Sequence, residues 1–141
     1  MNIIRLMTPK SQVAYINADC SVRQGLEKMR YHGYNALPVL DAEGLYVGVV
    51  KDADFLWLMM DEGGGVEALE DIPLTRIIRF DNPPVLISAS IEELMERSLE
   101  NNFVPLIDDR GCFIGIVRRR QLLTYFEKKY LKGRGQTPSA Q

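Results

Sequence analysis

Histidine and cysteine are almost absent from this chain of 141 residues. His32 is the one histidine, and Cys20 and Cys112 have neither CxxC spacing nor histidine neighbours, so they read as reduced thiols. The residue inventory offers no metal-ligand cluster and no Ser-His-Asp or Cys-His set, which excludes the common routes of metal and nucleophilic catalysis. Long apolar runs are missing too. Before Thr8-Pro9-Lys10 the amino terminus holds an apolar stretch of only a few residues, too short for a signal peptide or a membrane span, and the chain is expected to be cytoplasmic. Neither sign of charge prevails: 17 basic and 19 acidic residues leave a net charge of -2 and no global pull toward nucleic acid or an anionic membrane. Any anion must be held by a local patch.

What the chain does have is a repeat. Leu37-Pro38-Val39-Leu40-Asp41, Gly44 and Gly48-Val49-Val50 return as Val104-Pro105-Leu106-Ile107-Asp108, Gly111 and Gly115-Ile116-Val117, with every internal spacing kept. A fixed-period echo marks one supersecondary unit used twice. A chain of this length suits one domain that buries roughly two thirds of its unfolded surface.

The pattern around each block predicts strand, helix, strand, strand, helix. In the first copy Val13-Ala14-Tyr15-Ile16 reads as a strand and Ser21-Val22-Arg23-Gln24 as a capping box; in the second these are Val85-Leu86-Ile87 and Ser90-Ile91-Glu92-Glu93. Two short apolar strands follow, joined by turns at Asp41-Ala42-Glu43-Gly44 and Asp108-Asp109-Arg110-Gly111, and the second helices begin near Asp52 and Arg119. The expected division is a first repeat at 1–60, carrying the amino-terminal strand segment, a Gly- and Pro-bearing connector at 61–75, a second repeat at 76–131 and a disordered tail at 132–141. The run Phe55-Leu56-Trp57-Leu58-Met59-Met60 has no polar break, so its helix needs cover on both sides. Packing against the sister repeat would supply it, as would a homodimer built on these helices.

The doubled Pro-apolar-apolar-Asp-turn-Gly-xxx-Gly block, each preceded by a capped helix, resembles a tandem pair of CBS domains, a Bateman module, over nearly all of residues 3–131. The resemblance implies an α/β module of two pseudo-symmetric repeats, usually paired into a disc-like homodimer, whose clefts bind adenine nucleotides. It implies a non-enzymatic sensor that needs no cofactor.

The two copies are unequal where such proteins bind ligand. Family members often place an acid on the ribose at the start of the second helix. Asp54 keeps that acid, with Lys51 where a hydroxyl is usual, whereas Gln121 replaces it in the second copy, after Arg118-Arg119-Arg120. From 51 to 54 one cation meets two acids; from 118 to 121 three cations meet none. Cations at a helix amino terminus oppose the helix dipole, a conflict that a bound phosphate would resolve; a solvated run paired with Asp108 or Asp109 would resolve it too. The first copy also has a longer link from helix to strand, nine steps from Met29 to Pro38 against seven from Ser98 to Pro105. That link holds Gly33-Tyr34-Asn35-Ala36, which reads either as a turn with a capping tyrosine or as an aromatic face and an amide for a purine.

One branch of the family is matched further. The sequence is similar to the small stand-alone CBS-pair proteins of Gram-positive bacteria that bind cyclic di-AMP, through Val13-Ala14, Gly33-Tyr34-Asn35-Ala36-Leu37-Pro38, Asn102-Phe103-Val104 and Arg119-Arg120. It departs from them at Gln12, where a basic residue is expected, and at Arg118, where a threonine is. The resemblance implies a cyclic di-AMP receptor. Its site would join the backbone of Val13, Ala14 and Ala36, Tyr34 over the base, Asn35 on an edge or phosphate, Pro38, and Arg118, Arg119 and Arg120 on phosphate. Binding would be read by an unidentified partner protein. AMP or ATP, with Asp54 holding ribose in the second cleft, is the nearest alternative; a ligand-free interaction module is another. Nucleic-acid binding through the arginine triplet lacks the electrostatic footprint it needs.

Overall fold

The computed structural model describes residues 2–135. In chain order the regular elements are β1 (Thr8–Pro9), β2 (Ile16–Asn17), α1 (Val22–His32), β3 (Ala36–Leu40), β4 (Tyr46–Lys51), α2 (Asp52–Glu62), β5 (Val85–Leu86), α3 (Ile91–Ser98), β6 (Phe103–Ile107), β7 (Phe113–Arg118) and α4 (Arg119–Gly135). Two pseudo-symmetric repeats of strand, helix, strand, strand and helix are present, as the spacing predicts.

Local chemistry starts the first helix and closes the hairpin turn at the same places in both halves. Ser21 Oγ accepts the Gln24 N–H at 3.1 Å while Gln24 Oε1 accepts the Ser21 N–H at 2.9 Å, and Ser90 Oγ accepts the Glu93 N–H at 3.2 Å. Helix α1 ends at Gly33, whose φ of +71° suits glycine and whose N–H donates to the Met29 carbonyl at 2.9 Å. Asp41 Oδ1 accepts from the Glu43 and Leu45 amides, and Asp108 Oδ1 from those of Arg110 and Cys112, fixing the two hairpin turns.

The sheets are β2-β3-β4 and β1-β7-β6-β5; β2 and β5 lie parallel to β3 and β6, and the hairpins are antiparallel. The strand predicted over Val13 to Ile16 is shorter and later. Only Ile16 and Asn17 pair with β3, because Val13 closes the 3-10 turn at Lys10–Gln12 and Ala14 follows outside the ladder. Ile87 likewise lies outside β5.

Each half borrows a segment from ahead of the other. Strand β1 pairs with β7, and Ile3 is buried with Val85, Leu94, Val104 and Val117 in the second half. Reciprocally Arg79 exchanges both backbone hydrogen bonds with Val49 of β4, at 2.8 and 2.9 Å, and Leu69 and Leu74 are fully buried with Ile16, Val22 and Phe55 in the first half. Leu69 and Leu74 thus anchor an otherwise largely exposed connector to the core of the first half, and Ile3 and Thr8 belong physically to the second half. Glycine permits the approach. A Cβ on Gly115 would lie 2.3 Å from the Thr8 carbonyl oxygen, and one on Gly48 2.4 Å from that of Arg79. Between the halves Val13, Leu40, Tyr46, Val49, Phe103, Phe113 and Ile116 form a shared core.

The tail predicted to be disordered from 132 is helical through Gly135, since α4 meets no proline there and a single internal glycine costs a helix only about 1 kcal/mol. Residues 136–141 lie outside the described residues.

Candidate ligand-binding cleft

A cleft of about 280 Å³ opens where the two halves meet. The first half contributes Val13, Ala14 and the stretch from Gly33 to Pro38; the second contributes Asn102, Phe103, Ile116 and Arg118. The extra residues of the first copy lengthen α1, which has 11 residues against 8 in α3, and the turn from Gly33 to Asn35 then leads directly into β3 at the cleft. Gly33 turns the chain out of α1, Tyr34 is left 48% exposed at the rim with its ring stacked on His32 at 6.4 Å, and the Asn35 carbonyl is tied down by the Asp52 N–H at 2.9 Å. Asn102 is the counterpart of Asn35, its carbonyl accepting the Arg119 N–H at 2.8 Å. The walls are apolar and amide, with one charge among the lining residues. That is Arg118, whose guanidinium donates to Thr8 Oγ1 at 3.3 Å.

The related cleft on the other side is smaller, about 200 Å³. Asn82 stands in it where Val13 stands in the first: its Nδ2 donates to the Phe103 carbonyl at 3.0 Å, its own carbonyl accepts from Tyr46 Oη at 2.6 Å, and it is 2% exposed. Lys51, the counterpart of Arg118, is paired with Asp81 at 3.3 Å. Asp52 and Glu100 also line this cleft, so its electrostatics disfavour a phosphate.

Val13, Ala14, Tyr34, Asn35, Ala36, Pro38 and Arg118 are thus brought together, whereas three other residues expected at the nucleotide are turned elsewhere. Arg119 donates through Nε to the Ser98 carbonyl at 2.7 Å and through Nη2 to that of Leu99 at 3.5 Å. It serves as a cap for the unsatisfied carbonyls at the end of α3. Arg120, one residue further round the helix, lines a separate cavity with Arg5 and Lys128. Asp54 is 5% exposed and committed: it accepts the Lys51 N–H at 2.9 Å and pairs with the Arg79 guanidinium. It lines neither interdomain cleft, but a cavity with Trp57, Asp61 and Arg76. Arg118 to Arg120 run from strand end into helix, so successive side chains diverge by about 100° once the helix begins. Sequence reasoning left Asn102, Phe103 and Ile116 out of the site, although Asn102 and Phe103 sit at the second-copy positions of Asn35 and Ala36.

Among the described residues no group of His, Cys, Asp and Glu could hold a metal ion, and no helix is long and apolar enough to cross a membrane. Fold and cleft together define a two-repeat α/β module with a ligand-sized cleft between its halves. The CBS domain model matches residues 3–61 and 69–128, and the chain belongs to that family.

Solved structures agree on the fold. CbpB in complex with c-di-AMP superposes with a TM-score of 0.87 at 17% identity, over 96% of this chain and 91% of that one. CbpB of Listeria monocytogenes, also in complex with c-di-AMP, gives 0.83 at 23% identity over 92% and 98%. CBSX2 in complex with AMP gives 0.75 at 24% identity over 92% and 98%. A curated relative, homoserine O-acetyltransferase of Methanohalophilus mahii, is 23% identical over 105 residues, 74% of this chain. The chain spans about a fifth of that protein's length, 20%.

Proposed function

We propose that this CBS pair is a non-enzymatic cytoplasmic receptor for cyclic di-AMP that regulates a partner protein by ligand-dependent contact. The observation that carries the reading is the pairing of a purine-sized apolar and amide cleft with one guanidinium that has no acidic partner among the described residues. Val13, Ala14 and Ala36 offer backbone groups to an adenine edge, Tyr34 a ring face, Asn35 an amide, and Pro38 a rigid wall. Arg118 offers one positive charge. Each phosphodiester carries one negative charge and is no terminal phosphate, so it matches a single arginine better than the doubly charged phosphate of AMP. At about 280 Å³ the cleft lies just below the usual range of ligand sites, which suits one adenosine-phosphate half of the dinucleotide. Likeness to two CbpB structures that hold c-di-AMP supports the same choice.

The AMP or ATP reading needs Asp54 on a ribose, and its carboxylate is already taken by Arg79 and the Lys51 amide. A homodimer fits the exposed apolar residues of the second helices: Leu56, Trp57 and Met60 on α2, and Leu123 on α4, are each at least 49% exposed. A second copy covering them would give ligand binding a quaternary state to shift.

A thermal-shift panel of cyclic di-AMP, AMP, ATP and cyclic di-GMP tests the reading. A ligand at 100 times its dissociation constant adds roughly 2.7 kcal/mol, a shift of several degrees for a domain of this size. A shift with cyclic di-AMP and a smaller one with AMP and ATP is expected. No shift with any adenine nucleotide would overturn the sensor assignment.

A further inference from the structure

The arginine triplet sends one residue to a place that the cleft does not use. Arg120 lines a cavity of about 390 Å³ between α4 and the 3-10 turn at Ile3–Leu6. Arg5 and Leu6 come from the turn; Thr124, Tyr125 and Lys128 follow Arg120 along α4 at the spacing of one helix face. Arg5, Arg120 and Lys128 have no side-chain hydrogen bond or ion pair among the described residues. No carboxylate lines the cavity.

The repeat supplies an internal control. The cavity in the same position of the first half, about 330 Å³, is lined by Asp54, Trp57, Asp61, Arg76 and Arg79 among others. There the charges cancel, two acids against two arginines, with Asp54 paired to Arg79 and Arg76 to Glu62 at 3.1 Å. In the second half Gln121 stands for Asp54 and Lys128 for Asp61, so three cations face one hollow with nothing to neutralise them. Arg5, Arg120 and Lys128 are exposed, so solvent screens much of their repulsion, but only this half gathers like charges around its hollow. A solvated basic face needs no hollow and no aromatic and hydroxyl wall. The positive end of the α4 dipole adds to the same potential.

We infer that this cavity is a second anion site, separate from the nucleotide cleft, that takes a compact polyanion of the di- or triphosphate class. Guanidinium groups from Arg5 and Arg120 approach from two elements, Lys128 closes the far side as a point charge, and Thr124 offers a hydroxyl.

The test is a 15N-labelled NMR titration of the whole chain with inorganic tripolyphosphate, repeated with ADP and with chloride at matched ionic strength. Saturable shifts are expected for the amides of Arg5, Thr124 and Lys128, while the Trp57 indole N–H, in the neutral twin cavity, stays still. Lys128→Asp restores the charge the twin carries at that position and should weaken binding about tenfold, the scale of one lost charged contact. Arg5→Gln should act in the same direction, and a folded spectrum for each variant separates lost binding from lost structure. Shifts with tripolyphosphate alone assign a free polyphosphate; shifts with ADP as well assign a phosphate chain borne on a nucleotide. Unsaturable shifts, equal shifts in both cavities, or affinity unchanged in Lys128→Asp and Arg5→Gln would overturn the site.

Discussion

The side-chain oxygen of Gln121 accepts the backbone N–H of Arg118 at 2.8 Å, as the carboxylate of Asp54 does for Lys51 at 2.9 Å in the other half. One cap is neutral and the other is an acid. Gln121 then spends its amide on Thr8 Oγ1, at 3.0 Å, and leaves the Arg118 guanidinium with that same hydroxyl and no carboxylate. Restoring the acid with Gln121→Asp should keep the cap and place a negative charge beside Arg118. We expect cyclic di-AMP affinity to fall about fivefold to tenfold with little loss of stability, because like charge opposes the phosphate at short range. Isothermal titration of the variant checks it; unchanged affinity would remove Arg118 from the phosphate.

The three arginines should separate by what each mutation breaks. Arg118→Ala takes away the one cation of the cleft and should cost about 1.5 to 3 kcal/mol of ligand affinity, the range for a hydrogen bond to a charged group. Arg119→Ala should instead lower folding stability by about 1 kcal/mol, since it uncovers the Ser98 and Leu99 carbonyls at the end of α3. Calorimetric titration and urea unfolding on both variants read the two quantities apart. Equal losses of affinity would show that Arg119 also reaches the ligand.

Truncating the connector should damage the core of the first repeat. Leu74 is fully buried there, so Leu74→Ala should destabilise by about 2 to 5 kcal/mol as a large-to-small core substitution. Gly115→Ala should cost about 1 to 3 kcal/mol by forcing a methyl group against the Thr8 carbonyl and prising β1 from β7. Chemical denaturation measures both. A Leu74→Ala variant as stable as the parent would mean that residues 61–75 are a loose linker after all.

Both hairpins, the capped helices and the inequality of the two clefts were legible because they depend on neighbours in sequence. Ser21 and Gln24, or Asp41 and Leu45, find each other within four residues. The exchange of segments was not legible. Nothing local in Ile3 or Thr8 says that they complete the half built by residues more than 75 positions later, and only close contact at Gly115 reveals it. The same limit applied to the arginines. Three consecutive cations predict a local charge of +3, but the turn from β7 into α4 points one to the cleft, one to α3 and one to a separate cavity. Asn82, which fills the second cleft, carried no signal beyond its place opposite Val13 in the repeat.

Tyr46 links the two halves in a way that alkaline titration should expose. Its ring lies parallel to Phe113 at 6.3 Å across the shared core, and its hydroxyl donates to the Asn82 carbonyl. Burial first, and then the negative charge of Asp81, raise its pKa above the ordinary tyrosine value of 10.0. The folded state therefore binds this proton more tightly than the unfolded state. Its contribution to stability is full below pH about 10 and is lost as the pH climbs above that value, with a limiting slope of about 1.4 kcal/mol per pH unit. Tyr46→Phe removes the proton and the hydrogen bond together, so near neutral pH it should cost about 1 kcal/mol. Above pH about 10 the parent should lose this advantage and then fall below the variant, since only the parent has a buried phenol to ionise. Urea unfolding of both proteins at about pH 8, 9.5 and 11, a series that brackets the ordinary tyrosine pKa of about 10, isolates the effect from the other titrating side chains. A stability difference that stays constant across the series would place the Tyr46 hydroxyl in contact with water.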